Sequence, residues 1–152
     1  MSSSFFHGKT AVVTGAGGTL CSALARRLAR EGARVALLGR TPASLEGVAG
    51  EIRAAGGEAL CVACDVTDAE AVERARETVV AAYGVPWFLL NGAGGNQAEA
   101  ITTTTEFTAE ELSPDRAAGL RGFFNLSPTK FDEVIRINTL GTMLPSQVFG
   151  RD

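Results

Sequence analysis

Gly15, Gly17 and Gly18 stand directly after an apolar run, Ala11 to Thr14, and directly before a segment that carries Leu20, Leu24 and Leu28 at helical spacing. A strand, a tight turn and a helix in that order make an anion cradle. Glycine lets the backbone approach a pyrophosphate that a side chain would block, and the next helix points free N–H groups and its positive dipole end at the anion. Dinucleotide binding is therefore the first chemistry to consider, although glycine in such a turn can also serve only to pack a helix on a strand. Gly8, Lys9 and Thr10 imitate the end of a phosphate-binding P-loop. Ser3 stands where that loop needs its first glycine, and the string precedes the strand instead of following it, so the P-loop reading is rejected.

Cys61 and Cys64 form a CxxC, but ALCVAC has the pattern of a buried strand, in which positions i and i+3 face opposite sides. Metal or redox chemistry would need a second ligand pair or a thiolate-activating helix N-terminus, so both cysteines are expected in the core. Three cysteines also make no paired disulfide framework, which fits a reducing compartment. His7, the single histidine, is expected in a frayed N-terminal segment and cannot make a metal site alone.

The elements that must hold the glycine turn alternate. Strand-like runs at Ala11–Thr14, Arg34–Gly39, Ala59–Cys64 and Trp87–Asn91 are separated by helical patterns, which predicts βαβ units on a parallel sheet and an α/β fold. Helices are expected over Leu20–Glu31, Pro42–Ala55 (after Thr41, with proline at the first helical position) and Asp68–Tyr83, the last with Val72, Ala75, Val79 and Tyr83 on one face. They stop at Gly32, at Gly56 and Gly57, and at Gly84. Right-handed crossovers then give strand order 3-2-1-4. Gly92 to Lys130 reads as a long loop with one helical turn near Ala109–Leu112, either functional or a flexible insertion. A final helix from Pro128 to about Phe149 has an expected stripe of Phe131, Val134, Ile135, Asn138 and Gly141, with Pro145 kinking or ending it.

A chain of 152 residues is the size of one domain, and a net charge of −3 without a basic stripe argues against nucleic-acid partners and membrane surfaces. No charged-then-apolar leader and no apolar run near 18 residues occurs, so neither export nor a membrane span is expected and a cytoplasmic location is the default.

TGAGGTLC after the first strand, Cys64, Asp65 and Val66 after the third, Asn91, Gly92, Ala93 and Gly94 after the fourth, and Asn138 in the next helix fall in register. Together they resemble the short-chain dehydrogenase/reductase family over nearly the whole chain, and NGAGGN with LGTMLPSQVFG is similar to its D-mannonate oxidoreductase (fructuronate reductase) branch. The resemblance implies a Rossmann-type doubly wound parallel sheet. It places Gly15, Gly17, Gly18, Thr19 and Leu20 at the pyrophosphate, Asp65 on the adenine amino group with Val66 beside it, and Asn91, Ala93 and Gly94 along the ribose. Thr19 and Cys21 replace two glycines of the family's TGxxxGxG, which is expected to leave less room near the phosphates. Asp65 could equally cap a turn, and Asn91 with Gly92 could be an ordinary turn.

Asn138 is the one catalytic candidate. An unpaired buried amide costs about 1–3 kcal/mol, so an asparagine on an apolar helix face must find partners. In the family this position organises a water beside the catalytic lysine; a structural asparagine is the alternative. For the cofactor, Gly39 stands where NAD-preferring proteins carry an acid, and Arg40 follows, so NADP is favoured over NAD, with a solvated arginine as the bland reading.

The family's acid/base, a tyrosine in YxxxK, is absent. Tyr83 is the only tyrosine, and Lys9 and Lys130 lie elsewhere. The expectation is residues 1–152 of an incomplete Rossmann domain, with a loop insertion at about 92–130, truncated after the fourth strand and its helix. In complete form it would be an NAD(P)-dependent oxidoreductase interconverting D-mannonate and D-fructuronate or a similar sugar acid, as a homo-oligomer. The alternatives are a non-enzymatic NADP-sensing module and an inert fragment.

Overall fold

The computed structural model describes residues 5–151. Four parallel strands, β1 (Thr10–Thr14), β2 (Arg34–Gly39), β3 (Glu58–Ala63) and β4 (Phe88–Leu90), form one sheet in the order β3-β2-β1-β4. The register runs Val12 to Ala36 on one side of β1 and Val12 to Leu89 on the other. Helices α1 (Thr19–Arg30), α2 (Pro42–Ala54), α3 (Ala69–Tyr83) and α4 (Pro128–Phe149) cover it. This is the α/β Rossmann-like architecture expected from the alternating pattern.

Strand alternation divides the core into two layers, because successive side chains leave opposite faces. Ala11, Val13, Val35 and Leu37 meet Ala25, Leu28, Leu45 and Ile52 of α1 and α2. Val12, Ala36, Leu38 and Val62 meet Val72, Ala75, Val79, Val148 and Phe149 of α3 and α4. Cys61 packs against the first layer and Cys64 lies in the second, as the i, i+3 spacing requires. Both thiols are pushed up to about 11, chiefly by burial, so at neutral pH they are protonated and poor nucleophiles. Among the described residues no cluster of histidine, cysteine and carboxylates could hold a metal ion, and no helix is long and apolar enough to cross a membrane.

Local packing differs from the sequence patterns at several places. On α1, which carries Leu20, Leu24 and Leu28 at helical spacing, Leu20 and Leu24 are 72% and 37% exposed, and Cys21, Ser22, Ala25, Leu28 and Ala29 are buried. The stripe of α4 is rotated: Phe131 and Ile135 are half exposed, whereas Ile137, Gly141, Leu144, Pro145, Val148 and Phe149 meet the core. The helix also continues through Pro145 to Phe149, so the proline does not end it. The His7 segment is not frayed. Phe6 packs on the first core layer with its ring 6.0 Å from Phe88, and the Gly8 N–H donates to Gly32 O at 2.9 Å.

The long loop between β4 and α4 holds three short 3-10 turns, Ala98–Ala100, Ala109–Leu112 and Phe123–Asn125, rather than one. Its two halves are tied where the Thr103 N–H donates to Arg121 O at 2.7 Å and the Arg121 N–H returns to Thr103 Oγ1 at 2.9 Å. Glu111, 3% exposed, accepts from the Thr104 hydroxyl and the Thr108 N–H, and Asn125 Nδ2 donates to its carbonyl. Of the four threonines in a row, Thr104 thus serves a buried carboxylate and Thr103 ties the two halves of the loop.

Candidate functional site

The strand order reverses between β1 and β4, and the turns that leave their carboxyl ends face each other there. In open α/β sheets this switch point is where a crevice forms. The β1 turn begins at Gly15, whose φ of +63° is a left-handed conformation. A Cβ on Gly15 would lie 2.6 Å from Gly92 O and 2.8 Å from Ala93 N, so the two turns touch through bare backbone. Buried Thr14 stitches them: its Oγ1 accepts from the N–H groups of Gly92 and Ala93 at 3.0 and 3.1 Å. Thr14 was not a sequence candidate, although it is the residue that opens TGAGG.

The α1 N-terminus beside that turn is open. Its cap, Gly18, supplies no side-chain hydrogen bond and its first turn holds no acidic residue. Asp68 caps α3 through Glu70 and Ala71 N–H groups and Ser127 caps α4 through Lys130 N–H, whereas Thr41 of α2, like Gly18, makes no side-chain cap bond. Thr19 and Leu20, exposed at the first turn of α1, carry amides that an α-helix leaves unpaired. An uncapped helix end and a glycine turn in close backbone contact with its neighbour fit a pyrophosphate. Cys21 does not narrow this space, contrary to expectation. It is 5% exposed, and its Sγ fills the place a Cβ on Gly92 would take, 2.0 Å away, so it points into the core. Gly17 is bounded differently, by Ser44 of α2.

Asp65 follows β3 and lies half-buried at a cleft of about 320 Å³ lined also by Arg40, Thr67, Gly94, Asn96 and Arg136. Its Oδ1 accepts from Thr67 N–H at 2.9 Å and from the Thr67 hydroxyl at 2.8 Å, so the turn role is real. The Thr67 N–H bond first, and after it the hydroxyl, Arg40 and Arg136, hold its carboxyl below the usual range. Val66, Ala93, Gly39 and Arg40 line an adjoining slot of about 100 Å³. Asn91 sits past β4, donates Nδ2 to Ser146 Oγ at 2.9 Å, and its Oδ1 is buried without a partner among the described residues.

Asn138 corrects the premise of its own selection. It is exposed rather than buried, yet its amide is satisfied. Nδ2 donates to Gly95 O at 2.7 Å and to Val134 O at 2.8 Å, and Oδ1 accepts from Gly95 N–H at 3.3 Å. It ties the β4 turn to α4, and Gly94 must lack a side chain because a Cβ there would lie 2.7 Å from Oδ1. The structure therefore brings Gly15, Gly17, Gly18, Thr19, Leu20, Arg40, Asp65, Val66, Asn91, Ala93, Gly94 and Asn138 to the strand carboxyl ends. It adds Thr14, Thr67 and Arg136; Thr14 had a local signal as the first residue of TGAGG and Thr67 as the residue two after an aspartate, whereas Arg136 had none.

Thr10, Tyr83 and Lys9 lie at the opposite end of the sheet, whereas Lys130 pairs with Glu133 of the cleft wall. Thr10 Oγ1 donates to Tyr83 O at 2.7 Å, and Lys9 Nζ lies 3.6 Å from the ring centroids of Phe5 and Trp87. Lys130 is paired with Glu133 at 2.8 Å. Neither lysine is placed against Tyr83, and Lys9 serves aromatic packing rather than phosphate.

This combination of a doubly wound sheet, a glycine turn under an uncapped helix and an Asp–Val pair after β3 defines a dinucleotide-binding oxidoreductase fold. A family profile for short chain dehydrogenases matches residues 9–151, and the chain belongs to that family. An uncharacterized oxidoreductase, UxuB, of Bacillus subtilis is 44% identical over 145 residues, which are 95% of this chain and 50% of that protein. An NAD-bound crystal structure from Haemophilus influenza, assigned as a D-mannonate oxidoreductase, superposes with TM-score 0.88 at 36% identity, over 96% of this chain and 50% of the other. A metagenomic short-chain oxidoreductase in complex with NADP gives TM-score 0.76 at 31% identity, over 95% and 56%. The chain spans about half the length of the curated relatives it matches.

Proposed function

We propose that residues 1–152 are the N-terminal, cofactor-binding part of a larger dinucleotide-binding domain in an NADP-preferring oxidoreductase. The observation that carries this is the contact of the Gly15 and Gly92 turns beside the uncapped α1 N-terminus, a cradle that suits a backbone-bound anion. The bound nicotinamide nucleotide would supply hydride transfer. This chain's residues do the holding: Thr19 and Leu20 amides at the pyrophosphate, Asp65 at the adenine amino group, and Ala93 and Gly94 at the ribose. Asn138 fixes the β4 turn through Gly95. The strings NGAGGN and LGTMLPSQVFG, and the name carried by the Haemophilus neighbour, support a sugar acid such as D-mannonate or D-fructuronate as substrate of the whole enzyme, which we place in the cytoplasm as a homo-oligomer.

The preference for NADP rests on Gly39 and Arg40, where no carboxylate meets a 2′-phosphate and an exposed guanidinium does. NADPH is expected to bind about tenfold more tightly than NADH, roughly 1.4 kcal/mol, in a fluorescence titration. Gly39→Asp should reverse the order; the new Cβ would lie 3.1 Å from Leu45 Cδ2, the end of a flexible side chain that can shift by a few tenths of an ångström. Equal affinities in the parent would remove the argument.

The 152-residue chain by itself is expected to show no reduction of fructuronate and no oxidation of mannonate, because no tyrosine is placed beside a lysine to move the proton. Tyr83 is remote from the cleft, and burial and Glu58 raise its pKa instead of lowering it. Turnover by the pure chain that survives Tyr83→Phe would reveal another acid/base and overturn this reading.

A further inference from the structure

Arg40 and Arg136 line the same cleft from different elements, one just after β2 and the other in α4. Among the described residues neither has a hydrogen bond or an ion pair, whereas Arg26, Arg27, Arg53, Arg74 and Arg151 each hold a carboxylate. The acidic groups in the cleft each have another partner, although both arginine charges also act on Asp65. Asp65 Oδ1 takes both the N–H and the hydroxyl of Thr67, and Glu133 accepts from Lys130 Nζ at 2.8 and 3.0 Å. Two planar cations with unused donor forks therefore border one cavity, a donor set suited to a doubly charged phosphate.

Arg40 also lines the smaller slot with Gly39, Val66, Ala93 and Ile137, which is bounded by backbone and apolar side chains. Arg40 is thus common to both spaces, so a phosphate that it holds can also be reached from the larger cleft. Arg136 lines the larger cleft from α4, and its charge, like that of Arg40, acts on Asp65.

We propose that Arg136 is a second phosphate-binding arginine, which together with Arg40 seats a phosphomonoester on the adenosine ribose of the bound nucleotide. The proposal rests on the NADP-preferring reading above and adds to it a residue almost a hundred positions beyond the strand end where that preference is ordinarily sought.

The test is calorimetric titration of the full chain with adenosine 2′,5′-bisphosphate and with adenosine 5′-monophosphate, for the parent, Arg40→Gln, Arg136→Gln and Arg136→Lys. Arg136→Gln is expected to weaken the bisphosphate by about tenfold or more and the monophosphate by less than about twofold, with Arg136→Lys between parent and Gln. Arg136 is exposed, so all variants should melt with the parent. Equal weakening of both nucleotides would overturn the proposal and make Arg136 a base-contacting residue, and no change in either would overturn it and make the side chain solvated. In both cases a loss of discrimination in Arg40→Gln alone would leave the NADP reading standing. A parent that does not discriminate overturns the proposal and the NADP preference together, and a parent that binds neither nucleotide overturns the dinucleotide reading as well.

Discussion

Gly15→Ala is expected to melt about 10 °C or more below the parent and to lose dinucleotide binding. Two costs add. The residue sits at φ +63°, which costs an L side chain roughly 1–2 kcal/mol. Its Cβ would also press on Gly92 O, Ala93 N and Gly92 C, all within 2.8 Å and all backbone, so no rotamer can relieve the contact. Forced overpacking of this kind adds about 1–3 kcal/mol, and about 1 kcal/mol moves the midpoint of a chain this size by roughly 3–4 °C. Binding falls as well because the relief available is to part the β1 and β4 turns, which form the cradle. Gly47→Ala is the control. Gly47 lies in α2 with nothing near its missing Cβ, so alanine there should hold or raise the melting point through helix propensity. A Gly15→Ala melt within about 2 °C of the parent would mean that the turns do not make this contact in solution.

The second large effect concerns the open side of β4. Phe88–Leu90 pair with β1, and among the described residues no strand pairs with their other edge. These residues are only partly buried, and Trp87 beside them is 52% exposed. A strand edge with free N–H and C=O groups and apolar side chains is a template for another chain. The purified 152-residue chain is therefore expected to self-associate at high concentration, and a chain extended to the length of its relatives to be monodisperse. Asn91 Oδ1, buried without a partner at the end of the same strand, should gain one in that extended form. Static light scattering across a concentration series decides the matter. A monomeric 152-residue chain with one cooperative thermal transition would show that the edge is sealed and the prediction wrong.

The family was legible in the sequence because its signals are local. TGAGG encodes a turn through the conformational freedom of Gly15, and Gly32, Gly56 and Gly84 each stop a helix at positive φ, as their placement after the helical patterns predicts. Strand alternation in Val12, Val13, Val35, Ala36, Leu37 and Leu38 divides between two core layers, and the same period separates Cys61 from Cys64.

What the sequence left open depended on partners distant along the chain. The rotation of α4 was misread because Phe131, Val134, Ile135, Ile137, Leu140, Met143 and Leu144 surround the helix with apolar residues, so periodicity alone selects no face. The face is chosen by the close approach of Gly141 to Val66, where a Cβ would lie 2.9 Å from Cγ2. Asn138 was selected as a buried amide and proved to be an exposed clamp on Gly95, a contact between residues 43 positions apart that no local pattern encodes. Cys21 looked like an obstruction in the phosphate turn; only the facing Gly92 turns its sulfur inward. The order of elements, the glycine turn and the family could all be read from the residues, because backbone conformation and short-range periodicity set them. Which faces are buried, that Thr14 joins the two turns and that Arg40 and Arg136 line one cleft follow only from the fold, because helix rotation and side-chain convergence are set by packing between segments distant in sequence.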